Sequence, residues 1–155
     1  MTKILDILNY EEGFRSSPYI DTEGYPTIGT GFKIGPKGAK ISNYTFTLSK
    51  PVSDVWLSEM VTKKLSNMRQ NPTIASALSA CNDARKDVLY SMAYQMGVAG
   101  LAAFKNTLAK ISSGDFSGAA NGMMQSLWAK QTPNRAKRHA QVMREGSYDA
   151  YKGLI

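Results

Sequence analysis

The chain has one cysteine, one histidine and only 12 acidic residues among its 155. Each scarcity excludes something. Cys81 has no second cysteine to pair with, so no internal disulfide can form, which fits a reducing compartment. It is expected to be a small buried thiol in an apolar helix rather than a nucleophile, because the lone His139 lies far along the chain among basic residues. One Cys and one His cannot complete a zinc site, so no metal and no cofactor is expected. No stretch approaches the roughly 18 uninterrupted apolar residues of a membrane span, and stable membrane insertion is not expected. In the opening "MTKILDILNYEEGF" acids arrive too early for the apolar run of a signal peptide, so export by a standard route is not expected either.

What is present is an ordinary globular balance, 43% hydrophobic and 20% charged. Lys and Arg number 19 against the 12 acids, a formal charge of +7. That excess attracts an anionic partner: nucleic acid, a membrane surface or a cell-wall polymer. Charge alone does not choose among them.

Along the chain, residues 3–12 place Ile4, Leu5, Ile7 and Leu8 at helical spacing, with Gly13 as the stop. "PYIDTEGYPTIGTGF" at 18–32 then predicts a hairpin or small meander, and 33–50 an extended loop or third short strand. From Val52 the pattern turns helical, with Ser53 or Asp54 as the cap and "NP" at 71–72 as the end. Residues 83–96 predict a helix capped by Asp83 and stopped by Gly97, and 115–128 another. Thr132 and Pro133 begin a further one. The expected fold class is α+β and predominantly helical: a small β-containing lobe at 13–51, a connecting helix at 52–70, and a helical lobe at 71–155 on which 1–12 pack. A single domain, 1–155, and a monomer are expected.

The chemistry concentrates in "EEGFRSSPYIDTEGYPTIGTG", residues 11–31, where four of the acids fall. Glu12 ends a helix and Asp21 follows at a strand turn, so a helix end against a hairpin can bring the two carboxyls together. Two carboxyls in unlike environments are the equipment for glycoside hydrolysis, one kept protonated to serve the leaving oxygen and one ionised to steer a water. Thr27 could help fix that water. On the residues alone, a solvated acid pair without function is by far the commoner case.

The run Glu12-Gly13-x-Arg15, then Tyr19-x-Asp21-x-x-Gly24-x-x-Thr27-Ile28-Gly29-x-Gly31, resembles the active-site segment of the phage lysozymes, glycoside hydrolase family 24. "YQMG" at 94–97, "AFKNTL" at 103–108, "LWAKQTPNRAKR" at 127–138 and "SYDAYKGL" at 147–154 resemble the helical lobe and close of T-even members. The resemblance spans nearly the whole chain, with residues 33–60 the least similar. It implies a two-lobed lysozyme fold and a muramidase cleaving the β-1,4 bond between N-acetylmuramic acid and N-acetylglucosamine in peptidoglycan. Glu12 would be the general acid, and Asp21 and Thr27 would position the attacking water. Arg135 would pair with Glu12, and Tyr94, Gln95 and Thr107 would bind substrate. Three departures stand out. Phe32 replaces a family histidine, and Leu127 and Gly122 replace an arginine and an asparagine, with Asn121 one position away.

The resemblance also implies synthesis in a host cytoplasm and action on the periplasmic wall, with a holin-like release factor as partner. The rival readings are a wall-binding module without turnover, a lytic transglycosylase on the same fold, and a nucleic-acid binder suggested by "KQTPNRAKRHAQVMR". No nucleic-acid recognition motif accompanies that basic helix, so nucleic acid is not expected as a partner.

Overall fold

A computed structural model describes residues 1–155 as eight α-helices and a three-stranded antiparallel sheet near the N-terminus, an α+β and mostly helical chain. It divides into two compact units, one of Leu5–Met60 and one of Met1–Ile4 with Val61–Ile155.

In the smaller unit, α1 (Ile4–Glu12) ends at Gly13, whose φ of 74° suits a residue without a Cβ. Strands β1 (Arg15–Ile20), β2 (Pro26–Gly29) and β3 (Phe32–Lys33) follow in the order β1-β2-β3. The register sets Tyr19 beside Thr27, and Thr27 beside Lys33. Gly29 and Gly31 turn the chain between β2 and β3 at φ 63° and 74°. Phe32, in the place of the family histidine, is buried and lies against Trp56 with ring centroids 4.4 Å apart. A hydrophobic contact therefore occupies that position.

Helix α2 runs Lys50–Arg69, earlier than the cap expected at Ser53 or Asp54. Pro51 needs no N–H in a first turn, and the carbonyl of Ser49 already takes the Ser53 N–H at 2.9 Å. Ser53 is buried inside the helix, and Asp54 bonds Lys50 and Asn9 instead. Residues 34–49 are loop apart from one 3₁₀ turn, Ile41–Asn43.

In the larger unit, Asn71 caps α3 (Pro72–Ala80) through its side chain, and Cys81 closes that helix as a buried C-cap rather than lying within it. Burial pushes the Cys81 thiol up to about 11, so it is inert at neutral pH. Asn82, not Asp83, caps α4 (Asp83–Ala102), accepting the Arg85 N–H at 3.1 Å. Asp83 instead meets the N-terminal ammonium at 2.8 Å. Gly97 does break the helical path, at φ 83° and ψ 162°, but the chain resumes helical turns to Ala102. After α5 (Lys105–Ser112), the helix expected over 115–128 is two. Asp115 caps α6 (Phe116–Met124), and Ser126 accepts the Ala129 N–H and starts α7 (Leu127–Gln131) afresh. Helix α8 (Pro133–Glu145) begins at Pro133 as expected, though the Thr132 hydroxyl donates to Trp128 O instead of capping.

The core of this unit holds a polar chain. Ser91 on α4, His139 on α8 and Tyr151 are buried, with Ser91 Oγ 2.7 Å from His139 Nε2 and Tyr151 Oη 2.9 Å from Nδ1. Burial first, then the charges of Arg135 and Arg138, holds the His139 pKa well below its ordinary 6.5. Asp87, also buried, accepts hydrogen bonds from Thr2, from the Lys3 N–H and from Tyr148, and so ties both chain ends to α4. Its pKa is raised, because burial outweighs those bonds.

Two predictions follow from these placements. A Cβ at Gly29 would stand 2.7 Å from the Phe32 ring and 2.9 Å from Ser53 Oγ. With the positive φ added, Gly29→Ala should lower stability by about 2 kcal/mol or more in urea denaturation. For His139, the unfolded chain takes up a proton near pH 6.5 while the native imidazole resists it. Its contribution is therefore complete above that pH and is lost as pH falls toward the native value. Wild type should lose up to about 1.4 kcal/mol per pH unit below pH 6 relative to His139→Val, measured by urea denaturation at pH 7, 6 and 5. Asp87 acts with the opposite sign but is common to both proteins.

Candidate active site

The residues singled out from the sequence divide between the two units. Glu12, Asp21 and Thr27 lie in the smaller one, and Tyr94, Gln95, Thr107 and Arg135 in the larger.

Glu12 is the last residue of α1 and is half-buried. The β2–β3 turn passes close to it: a Cβ built on Gly31 would stand 3.3 Å from Glu12 Oε2, so glycine there admits the carboxyl. Asp21 sits just beyond β1. Its Oδ1 accepts the N–H groups of Glu23 and Tyr25, both at 2.9 Å, and its own N–H donates to Tyr25 O. This Asx turn fixes the carboxylate and leaves Oδ2 without a protein partner. Thr27 is buried on β2, and its hydroxyl donates to Tyr25 O at 2.9 Å, so the oxygen lone pairs stay able to accept.

Tyr19 links the two acids. Its hydroxyl pKa is raised above 10, mainly by burial; Arg15 opposes, and the Glu12 and Asp21 charges both add to the rise. The phenol thus lies within electrostatic reach of both carboxylates, with the Arg15 guanidinium 4.3 Å from its ring centroid. Tyr19 and Arg15 were visible only as positions in the sequence pattern; their part in the electrostatics comes from the strand pairing that sets Tyr19 beside Thr27.

In the larger unit, Gln95 Oε1 accepts from Trp128 Nε1 at 2.8 Å. Indole is donor-only, so the amide oxygen must face it, and both N–H donors of Gln95 point elsewhere. Tyr94 beside it is half-buried. Thr107 is buried against α6, where a Cβ on Gly122 would lie 2.9 Å from its hydroxyl. Asn121, one position from Gly122, is exposed, and its Oδ1 accepts from Arg144 at 2.9 Å. Leu127 is exposed at the start of α7. Arg135 is buried near the start of α8, and its Nη2 donates to Ser91 Oγ at 2.9 Å and to Ser91 O at 3.2 Å. Ser91 and His139 carried no sequence signal, because their partners are 44 and 48 residues away. No three His, Cys, Asp or Glu side chains converge as a metal-ligand set.

The model of the phage lysozyme family matches residues 9–145. The chain is 31% identical over 169 residues to a protein called probable T4-type lysozyme 1, of Dictyostelium discoideum, covering 98% of this chain and 99% of that one. It is 32% identical over 162 residues to the pre-baseplate central spike protein Gp5 of Enterobacteria phage T4, covering 94% of this chain but 28% of that one. Over 126 residues it is 29% identical to the peptidoglycan hydrolase gp36 of Pseudomonas phage phiKMV, covering 81% of this chain and 13% of that one. With a family model spanning most of its length and a relative aligned end to end, the chain belongs to the phage lysozyme family and, with it, to the glycosidases.

Proposed function

We propose that the chain is a peptidoglycan hydrolase of the muramidase type, cleaving the β-1,4 bond between N-acetylmuramic acid and N-acetylglucosamine. The observation that carries this reading is the single-unit grouping of Glu12, Asp21 and Thr27, with Tyr19 sensing both carboxylates. Family membership and the similarity to a phage peptidoglycan hydrolase support it.

Glu12 gives its proton to the leaving glycosidic oxygen as the bond breaks. The attacking water is held by two acceptors, Oδ2 of Asp21 and the Thr27 hydroxyl oxygen. With both protons so engaged, a water lone pair faces the anomeric carbon, and Asp21 takes one proton as the new bond forms. Attack from the face opposite the leaving group inverts the anomeric centre. Charge builds on the sugar ring in the transition state, and the ionised Asp21 stabilises it.

Substrate holding falls to the larger unit. The Gln95 N–H donors suit the carbonyl of an acetamido group, the Tyr94 ring can lie along a pyranose face, and Thr107 lends a hydroxyl. The assignment of Arg135 as the partner of Glu12 rests on the sequence pattern of "TPNRAKR". The excess of basic residues holds the enzyme near an anionic wall. The same reading carries synthesis in a host cytoplasm and action on the periplasmic wall after release by a second factor.

The test is clearing of outer-membrane-permeabilised Gram-negative cells, with the released sugar ends identified by mass spectrometry. Wild type should clear and release reducing-end muramic acid, and Glu12→Gln should lower kcat by about 10³-fold. Anhydro ends would make the chain a transglycosylase, and no clearing by folded wild type would leave a binding role. Asp21→Asn keeps an oxygen to accept from Glu23 and Tyr25 but loses the base. It should cost kcat about 100-fold or more while the melting temperature holds.

A further inference from the structure

His139 is fully buried and has a hydrogen-bonding group at each ring nitrogen, yet the roles given so far do not use it. It sits on α8 one turn beyond Arg135, and both residues reach the same serine on α4. The Arg135 Nη2 donates to Ser91 Oγ at 2.9 Å and to the Ser91 carbonyl at 3.2 Å. Ser91 Oγ is 2.7 Å from His139 Nε2, and His139 Nδ1 is 2.9 Å from Tyr151 Oη.

We infer that His139 is a positioning residue for Arg135: as a neutral imidazole in the Nδ1–H tautomer, it accepts a hydrogen bond from the Ser91 hydroxyl at Nε2 and so locks the serine oxygen that receives the guanidinium. The inference rests on the reading of Arg135 as the charge that acts on Glu12.

The direction of the chain follows from the donor inventory. Arginine only donates. Once a guanidinium N–H occupies one lone pair of Ser91 Oγ, the hydroxyl proton needs an acceptor, and a bare Nε2 lies 2.7 Å away. The proton on Nδ1 then goes to Tyr151 Oη. Every donor points the same way from Arg135 through Ser91 and His139 to Tyr151, an arrangement in which each bond polarises the next. The opposite tautomer would aim two N–H donors at one serine oxygen and leave the serine proton without the imidazole as acceptor. An imidazolium would do the same and add a third cation beside Arg135 and Arg138, whose charges, with burial, already hold His139 neutral. Without the ring, the Ser91 hydroxyl is free to turn among its staggered rotamers, and the guanidinium loses a fixed anchor. A group that is loosely held reacts or stabilises poorly, since small misplacements are costly near a reacting centre.

Two measurements are made on the folded wild type at neutral pH by ¹⁵N NMR: the protonation pattern of the His139 ring and the order parameter of the Arg135 Nε–H. The ring should be protonated at Nδ1 and bare at Nε2, and the Arg135 Nε–H should be rigid. The order parameter should fall in His139→Val and in Ser91→Ala. For activity, His139→Val should lower kcat about tenfold with KM within about twofold. The same change made in an Arg135→Lys background should cost less than about twofold, because the link it breaks is already lost. His139→Gln, whose amide oxygen can accept from Ser91, should restore most of kcat. An Nε2–H tautomer, an Arg135 order parameter unchanged in His139→Val, or an undiminished loss in the Arg135→Lys background would each overturn the inference. Wild-type kcat in Arg135→Gln, which removes the charge, would instead defeat the reading of Arg135 on Glu12, while the tautomer and the order parameter judge the His139 link separately.

Discussion

The amide of Asn9 holds together the parts that carry the three catalytic candidates. Its Oδ1 accepts from the Thr30 hydroxyl at 2.6 Å, and its Nδ2 donates to Asp54 at 3.1 Å. One side chain on α1 therefore ties the helix that ends in Glu12 to the β2–β3 turn and to the first part of α2. A carboxyl at a helix terminus is only as well aimed as the helix is anchored, and one further turn of α1 separates Asn9 from Glu12. The glycines of the turn complete the arrangement. Gly31 leaves room for the carboxyl of Glu12, and Gly29 lets the strand pass under Phe32 and Ser53.

The two acids meet the backbone at different places. Asp21 is clasped at one oxygen by two backbone N–H groups, which fixes the plane of its carboxyl. Glu12 ends its helix with the β2–β3 glycine turn close to its carboxyl. Tyr19, within reach of both charges, has a hydroxyl pKa raised first by burial and then by those charges, against the pull of Arg15.

The larger unit applies the same logic with buried side chains. Trp128 fixes which way the Gln95 amide faces, and Ser91 fixes where the Arg135 guanidinium lies. In each case a donor-only group pairs with an ambivalent one, so the donor settles which atom of its partner must accept. Buried polar groups of this kind cost stability unless all of them are satisfied, and here they pair across α4, α8 and the closing 3₁₀ turn.

By itself the sequence determined the α+β class, the end of α1 at Gly13, the start of α8 at Pro133, and the spacing of Glu12, Asp21 and Thr27. Those features are local or patterned: a glycine needs only its own φ, a proline its own ring, and a motif only its own offsets. It misplaced the caps of α2 and α4 and ran α6 and α7 together. At α4 two adjacent residues compete to cap, α2 starts earlier from the Ser49 carbonyl, and Ser126 caps α7 afresh within a run whose apolar spacing reads as one helix. Only the tertiary structure decided that Phe32 fills its site against Trp56, and that Ser91, His139 and Tyr151 form one chain behind Arg135. These are contacts between residues far apart in the chain, and no local propensity encodes a hydrogen bond across 48 positions.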